Sequence, residues 1–358
     1  MRHLAYSVLF VLSLTVVLSG CKDDPVTPAP TPTPTLLNAV YVLNEGNFGD
    51  ATGARLTAYD LDQDSAYRDV FEAANRGQHL GSLGDDMKLH NGKAYILMSG
   101  SENLVVMNLS NHTLAQSAGF AGDTPNYMVI DSARGKVYIC RLFKNSLLVV
   151  NLSTLVVIDS IPVGNNPQSM LLHGKDLYVC NGGFGSDRTV SVVDVLGDSV
   201  RATITVSDGP SSSLIASDGN IWIACTGNAF GIPATPGKIF IVDPTTLAIE
   251  DSISFSENLW GSLVQGIDGN AYVVGANPAS FYGGAIHRIA VATKAVTLNF
   301  IATDIYYAMS IDPTSGDLFL TDAKNFASNG VISIYNKGGV FKKSFAAQKG
   351  PASIVFKH

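Results

Sequence analysis

The chain has 358 residues, 46% hydrophobic and 15% charged, with 34 Gly and 15 Pro, which excludes a disordered chain or a mini-protein and leaves room for a large buried core. Lys and Arg number 23 against 30 Asp and Glu, a net charge of -7, so no basic surface is expected to track phosphates and nucleic acid is excluded as a partner.

The amino terminus carries an address. Arg2 and His3 precede an apolar run over residues 4–18, 15 residues long, which is short for a bilayer span and suits a secretory signal. The run ends in Leu18-Ser19-Gly20-Cys21, which resembles the lipobox of bacterial lipoproteins. That resemblance implies removal of residues 1–20 as a signal peptide and a lipid on the Cys21 thiol, so that the membrane is met through the anchor alone. Lys22-Asp23-Asp24 resembles the export signal of Bacteroidota surface lipoproteins, which implies the outer membrane and exposure at the cell surface. Pro25, Pro28, Pro30, Pro32 and Pro34 alternate with small residues, so residues 21–38 are expected to be the lipidated Cys and an extended tether. At about 3.1 Å per residue, residues 22–37 would reach roughly 50 Å.

From residue 39 onward a short strand with an aromatic anchor recurs seven times: at Tyr41, Tyr95, Tyr138, Tyr178, Trp222, Tyr272 and Phe319. The anchors lie 40 to 54 residues apart, the length of one four-stranded propeller blade. Each is followed by a variable loop, a second apolar strand such as Leu147-Leu148-Val149-Val150, a tight turn and an outer strand. Next comes a segment typified by Asn166-Pro167-Gln168-Ser169-Met170, expected to be the innermost strand of the following blade. The last such segment, from Pro351, has no later partner, and the first anchor strand has no predecessor. Pairing them closes a ring, so residues 39–358 are predicted to form an all-β, seven-bladed β-propeller, monomeric, sealed by its two chain ends. Two stacked β domains or an open solenoid are the alternatives. The sole helix expected is short, around Phe71 to Asn75.

The turns divide by face. One face receives terse hairpins such as His90-Asn91-Gly92 and Asp268-Gly269-Asn270. The other receives the long loops, which carry Phe48, Phe143, Phe184, Phe230, Phe281, Tyr282 and Phe326 together with Asn44, Asn47, Asn181, Asn228, Asn277 and Asn325. The connections between blades add Asn126, Gln168, Trp260, Tyr306 and Tyr307 to that face, and Asp322 closes the last anchor strand. From these we take Asn44, Asn47, Phe48, Asn126, Phe143, Gln168, Asn181, Phe184, Trp260, Tyr306, Tyr307, Asp322 and Asn325 as candidate ligand contacts. Aromatic faces and uncharged amides on a rigid ring suit a large ligand with apolar surface and many amides. Packing between blades is the competing role for each aromatic.

Catalytic signatures are sparse. The sequence has no G-x-S-x-G, H-E-x-x-H, G-x-x-x-x-G-K or C-x-x-C, so no enzyme activity, metal or cofactor is assigned, although a propeller lyase or lactonase stays open. Asp60-Leu61-Asp62-Gln63-Asp64 begins like a calcium loop but has Ser65 and Phe71 where Gly and Glu belong, and reads as a hairpin turn. Cys140, Cys180 and Cys225 fall on different blades and read as buried small residues, not a disulfide. Asp-Ser followed by an apolar residue, at Ser65, Ser132, Ser160, Ser199 and Ser252, resembles the O-glycosylation acceptor of Bacteroidota.

Lys136-Val137-Tyr138-Ile139 through Ile161-Pro162-Val163-Gly164-Asn165-Asn166-Pro167 resembles the YVTN-type repeat of surface-layer and YncE-like seven-bladed propellers. Leu43-Asn44-Glu45-Gly46-Asn47-Phe48-Gly49, Ala73-Ala74-Asn75-Arg76, Leu80-Gly81, the stretch from Met87 to Gly92 and Thr321-Asp322-Ala323 with its loop ending in Asn329-Gly330 are similar to Bacteroidota propeller lipoproteins. That group includes surface cobalamin-binding proteins that sit over a TonB-dependent outer-membrane transporter. The resemblance implies capture of cobalamin or a related corrinoid for transport, without catalysis. A surface scaffold that docks protein or glycan is the alternative from another class.

Overall fold

A computed structural model of the protein describes residues 35–277 and 282–358; the expected signal peptide, Cys21, the expected tether as far as Pro34, and Phe281 lie outside the described residues. Of the chain's two compact units, Met1–Thr31 lies wholly outside them and Pro32–His358 carries the sheets.

Among the described residues, 28 strands form seven antiparallel sheets of four strands each. The innermost strands Pro351–Lys357, Gly84–His90, Pro125–Asp131, Pro167–His173, Pro210–Ile215, Leu259–Gln265 and Ala308–Ile311 follow one another around an axis. The first blade is made from both ends of the chain. Ala39–Asn44 pairs with Arg55–Asp60 on one side and with Pro351–Lys357 on the other, with Tyr41 opposite Val355 and Val42 opposite Ile354. This is the ring closure expected from the unmatched end strands, and it leaves no inner edge unpaired.

The anchor strands are buried on both faces because each sheet is sandwiched between two neighbours. Tyr41, Tyr138, Tyr178, Trp222 and Tyr272 have no exposed surface, and Tyr95 and Phe319 retain 5% and 1%. The polar tips of the five fully buried anchors find partners, Tyr41 with His112 and Tyr178 with the Pro244 carbonyl among them. Tyr138 donates to Asp198 Oδ1 at 2.8 Å, Trp222 Nε1 to Asp218 Oδ2 at 3.1 Å and Tyr272 to Asp268 Oδ2 at 2.8 Å. Seven apolar clusters fill the seven gaps between neighbouring sheets, so the core is a ring of interfaces.

The outer strands are broken by one-residue register shifts, as at Asp159 to Val157 and Asp251 to Ile249, which twist these edges and discourage further pairing. The short helix is Val70–Ala74, and the Asp60 side chain accepts from the Asp62 and Gln63 N–H groups in a plain hairpin turn. Cys140, Cys180 and Cys225 are buried free thiols. The chain enters the ring at Leu36 on the short-turn face, where Lys357 Nζ donates to the Leu36 carbonyl and Thr35 Oγ1 to that of Ser110.

Candidate functional site

The site grows out of an irregularity in the innermost strands. Six of the seven begin with a one-residue bulge, which leaves Asp85, Asn126, Gln168, Ser211, Trp260 and Ala352 without a partner in the ladder. In the seventh, Tyr307 stands immediately before Ala308–Ile311, its N–H donating to the Thr321 carbonyl. A bulge turns its extra side chain out of the normal alternation. Repeated around the axis, it supplies a set of side chains at the end of the channel where the long loops emerge.

Two of these, Asp85 and Tyr307, meet the loops after the first and last anchor strands in a cavity of about 520 Å³. Its walls include Glu45, Asn47, Phe48, Leu83, Ser99 and Phe326. The Glu45 and Gly46 N–H groups donate to the Gly350 and Lys349 carbonyls at 2.8 and 3.0 Å, which ties the floor of the loop to the carboxyl-terminal strand. Gly46 has φ +83°, and a Cβ there would lie 2.3 Å from the Gly53 carbonyl carbon, so the close approach of the loop limbs requires glycine. Phe326 packs edge-on against Tyr307 and Tyr282, with ring centroids 5.2 and 5.0 Å away. Oriented to satisfy both neighbours, the Asn47 amide donates to the Phe326 carbonyl at 2.8 Å and accepts from Lys349 Nζ at 3.1 Å.

Electrostatically the cavity is one-sided. Tyr307 donates to Glu45 Oε1 at 2.8 Å, and Asp85 Oδ2 accepts from the Ser99 N–H at 3.1 Å. Burial pushes the Glu45 carboxyl up to about 7 despite the Tyr307 hydrogen bond. Burial also pushes Asp85 up to about 7, helped by the charges of Glu45 and Asp86 and opposed by Ser99. Next along the strand, Asp86 is committed elsewhere: Oδ1 pairs with Lys88 Nζ at 2.8 Å and Oδ2 accepts from the Met128 N–H at 3.0 Å. Lys88 also lies over the Tyr127 ring, 4.5 Å from its centroid. No Lys, Arg or His is among the residues that line the cavity.

The candidate contacts read from the sequence separate in space. Asn47, Phe48, Tyr307 and Asn325 line the cavity. Asn126, Gln168 and Trp260 occupy the equivalent bulges; Asn126 Nδ2 reaches the Pro167 carbonyl at 3.4 Å, and Trp260 Nε1 donates to that of Tyr307 at 2.8 Å. Phe143 and Phe184 are exposed on neighbouring blades with their rings 5.9 Å apart, outside the cavity.

Four candidates sit inside the wall instead of facing the opening. Asn44 is buried and its Nδ2 binds the Val42 and Arg55 carbonyls and Thr57 Oγ1, while Asn181 Nδ2 binds Thr189 and Ser191 in the same way. Both staple the end of an anchor strand to its neighbour. Asp322 accepts from the Lys324 N–H and ammonium. Tyr306 is fully buried between the sixth and seventh blades, in a triangle of hydroxyls with Thr303 and Tyr335 at 2.7 to 2.8 Å. Glu45, Leu83, Asp85, Ser99 and Phe326 were absent from the sequence-derived set. Asp85 occupies the repeat position of Asn126 and Gln168, so an alignment of the inner strands carries the signal that finds it.

A family model described as "Domain of unknown function (DUF5074)" matches residues 38–235, more than half of the chain. The chain belongs to the DUF5074 family. The matched DUF5074 segment includes Glu45 and Asp85 but not Tyr307 or Phe326, so the cavity is shared between it and the last blade. No curated protein matches the chain.

Similar solved structures include a protein from Lactobacillus plantarum, 14% identical, covering 90% of this chain and 100% of that one with a TM-score of 0.68. A quinonprotein alcohol dehydrogenase-like protein from Bacteroides thetaiotaomicron is 15% identical, covering 91% and 79% with a TM-score of 0.66. A periplasmic gluconolactonase from Pseudomonas aeruginosa is 10% identical, covering 90% and 99% with a TM-score of 0.65. At these identities the likeness is one of fold.

Proposed function

We propose that this protein is a non-enzymatic lipoprotein of the cell surface that captures a ligand at the axial mouth between its first, second and last blades. One observation carries the reading: a cavity of about 520 Å³ on the long-loop face, walled by the apolar rings of Phe48 and Phe326 and floored by the acceptors Glu45 and Asp85. Its volume falls in the range of roughly 300–1,000 Å³ usual for small-molecule sites. The ligand that the sequence resemblance implies is cobalamin or a related corrinoid, delivered to a TonB-dependent outer-membrane transporter. A corrin ring offers a flat apolar face to the rings and peripheral amide N–H groups to the carboxyls, with one edge in the cavity.

Calorimetry of residues 22–358 with cyanocobalamin tests this. We expect a dissociation constant below about 100 µM that Phe326→Ala weakens at least about tenfold. Absence of heat at that concentration removes the corrinoid.

A hydrolytic reading is favoured by the two carboxyls held up to about 7 in one cavity, a range suited to proton transfer. Hydrolysis of gluconolactone above the spontaneous rate, lost in Asp85→Asn, would put it first.

A further inference from the structure

Resting on the reading of the mouth as a ligand site, we propose that the group received between Glu45, Asp85 and the Phe326 ring is a positively charged nitrogen, an ammonium carried next to an apolar ring or chain. The argument is a balance of charge. Buried acids elsewhere around the mouth are well compensated: Asp86 has Lys88 at 2.8 Å, Asp208 has Arg188, and Asp187 accepts from the Asn165 N–H, the Thr189 N–H and the Thr189 hydroxyl. Asp123, behind the second inter-blade connection, has Arg141. Glu45 and Asp85 have a tyrosine hydroxyl and a backbone N–H. The nearby Lys349 ammonium is directed at the Asn47 amide oxygen and forms no ion pair with either carboxyl.

Burying a carboxylate without a counter-charge is costly, and the raised affinity of both groups for a proton is the sign of that cost. A bound cation would replace the proton. The walls fit the rest of such a ligand, because Phe326 and Phe48 present aromatic surface beside the acids, and aromatic faces attract cations as well as apolar groups. A corrinoid's neutral amides would satisfy the same acceptors without neutralising them, so the charge of the cavity and the sequence resemblance favour different ligands.

Phenethylamine and phenethyl alcohol separate charge from shape, being alike in size and apolar surface. Titrated calorimetrically into residues 22–358 at neutral pH, the amine is expected to bind at least about tenfold more tightly than the alcohol. In the double variant Glu45→Gln, Asp85→Asn, that preference should vanish while thermal melting shows the variant folded. Equal binding of the two probes, or a preference that survives in the folded double variant, overturns the proposal. Cyanocobalamin is titrated alongside. Binding of cyanocobalamin that depends on Phe326, with no preference for the amine, overturns the cation and leaves the ligand site standing. Silence from all three compounds at about millimolar concentration removes both.

Discussion

Single residues in this protein are informative where polar chemistry is buried. Glu45 and Asp85 have their carboxyls pushed up to about 7, above the 4.5 and 3.8 of the free groups. Each therefore holds a proton more tightly in the folded than in the unfolded chain. Their contribution to stability is fully present below about pH 4 and is lost as the pH rises through about 7. The other charges facing the pair are Asp86 with its partner Lys88, and Lys349, which is engaged by Asn47; Tyr307 faces Glu45 as a hydroxyl. Glu45→Gln and Asp85→Asn are expected to raise stability by about 2 kcal/mol each at about pH 8.5 and to change it little near pH 4, as thermal melting at the two pH values would show. No gain at the higher pH would mean that the acids are better compensated than the geometry indicates.

At the scale of the element, adjacent residues where one blade passes to the next have opposite fates: Tyr306 ends the outer strand Val296–Tyr306, and Tyr307 precedes the innermost strand Ala308–Ile311. Tyr306 lies in the sixth-to-seventh blade interface, and its hydroxyl shares a closed triangle with Thr303 and Tyr335, while Tyr307 turns into the cavity. Tyr306→Ala is expected to cost about 3 kcal/mol or more, from the lost ring and from two partners deprived of a hydrogen bond. Tyr307→Ala should cost clearly less stability, its half-buried ring touching Trp260 and Phe326 at the rim, and should weaken ligand binding. Melting and calorimetry on the pair distinguish them.

The sequence alone could not separate the two. Alternation assigns neighbours to opposite faces, but the start of an innermost strand is where bulges reset it, and a reset by one residue exchanges inside for outside. The same ambiguity hid Asp85, whereas the anchor strands were legible because burial on both sides leaves a plain run such as Val137-Tyr138-Ile139. Asn44 and Asn181 misled for a different reason. An amide at the mouth end of a strand serves the neighbouring strand's hydroxyls as readily as a ligand, and the hydroxyls of Thr57, Thr189 and Ser191 decide the matter.

On the scale of the whole molecule, the ring has no beginning except where the ends meet. The seventh interface and the first blade both depend on Pro351–Lys357, whose Ile354 packs with Val40, Val42 and Phe319. Truncation after Gly350 would expose the Ala39–Asn44 edge and is expected to abolish cooperative melting. A truncated chain that melts within about 5 °C of the whole one would show that closure contributes little. This level of the fold was readable from sequence because a strand without a mate at one end and a vacancy at the other constrain each other.

Leu36 approaches the ring from beneath, beside Ser110 and Lys357, on the side away from the carboxyl-lined bowl. The described chain therefore starts on the underside of the ring, and the bowl opens on the opposite side, so that a label or surface linker joined next to Thr35 would leave the way in for solute clear.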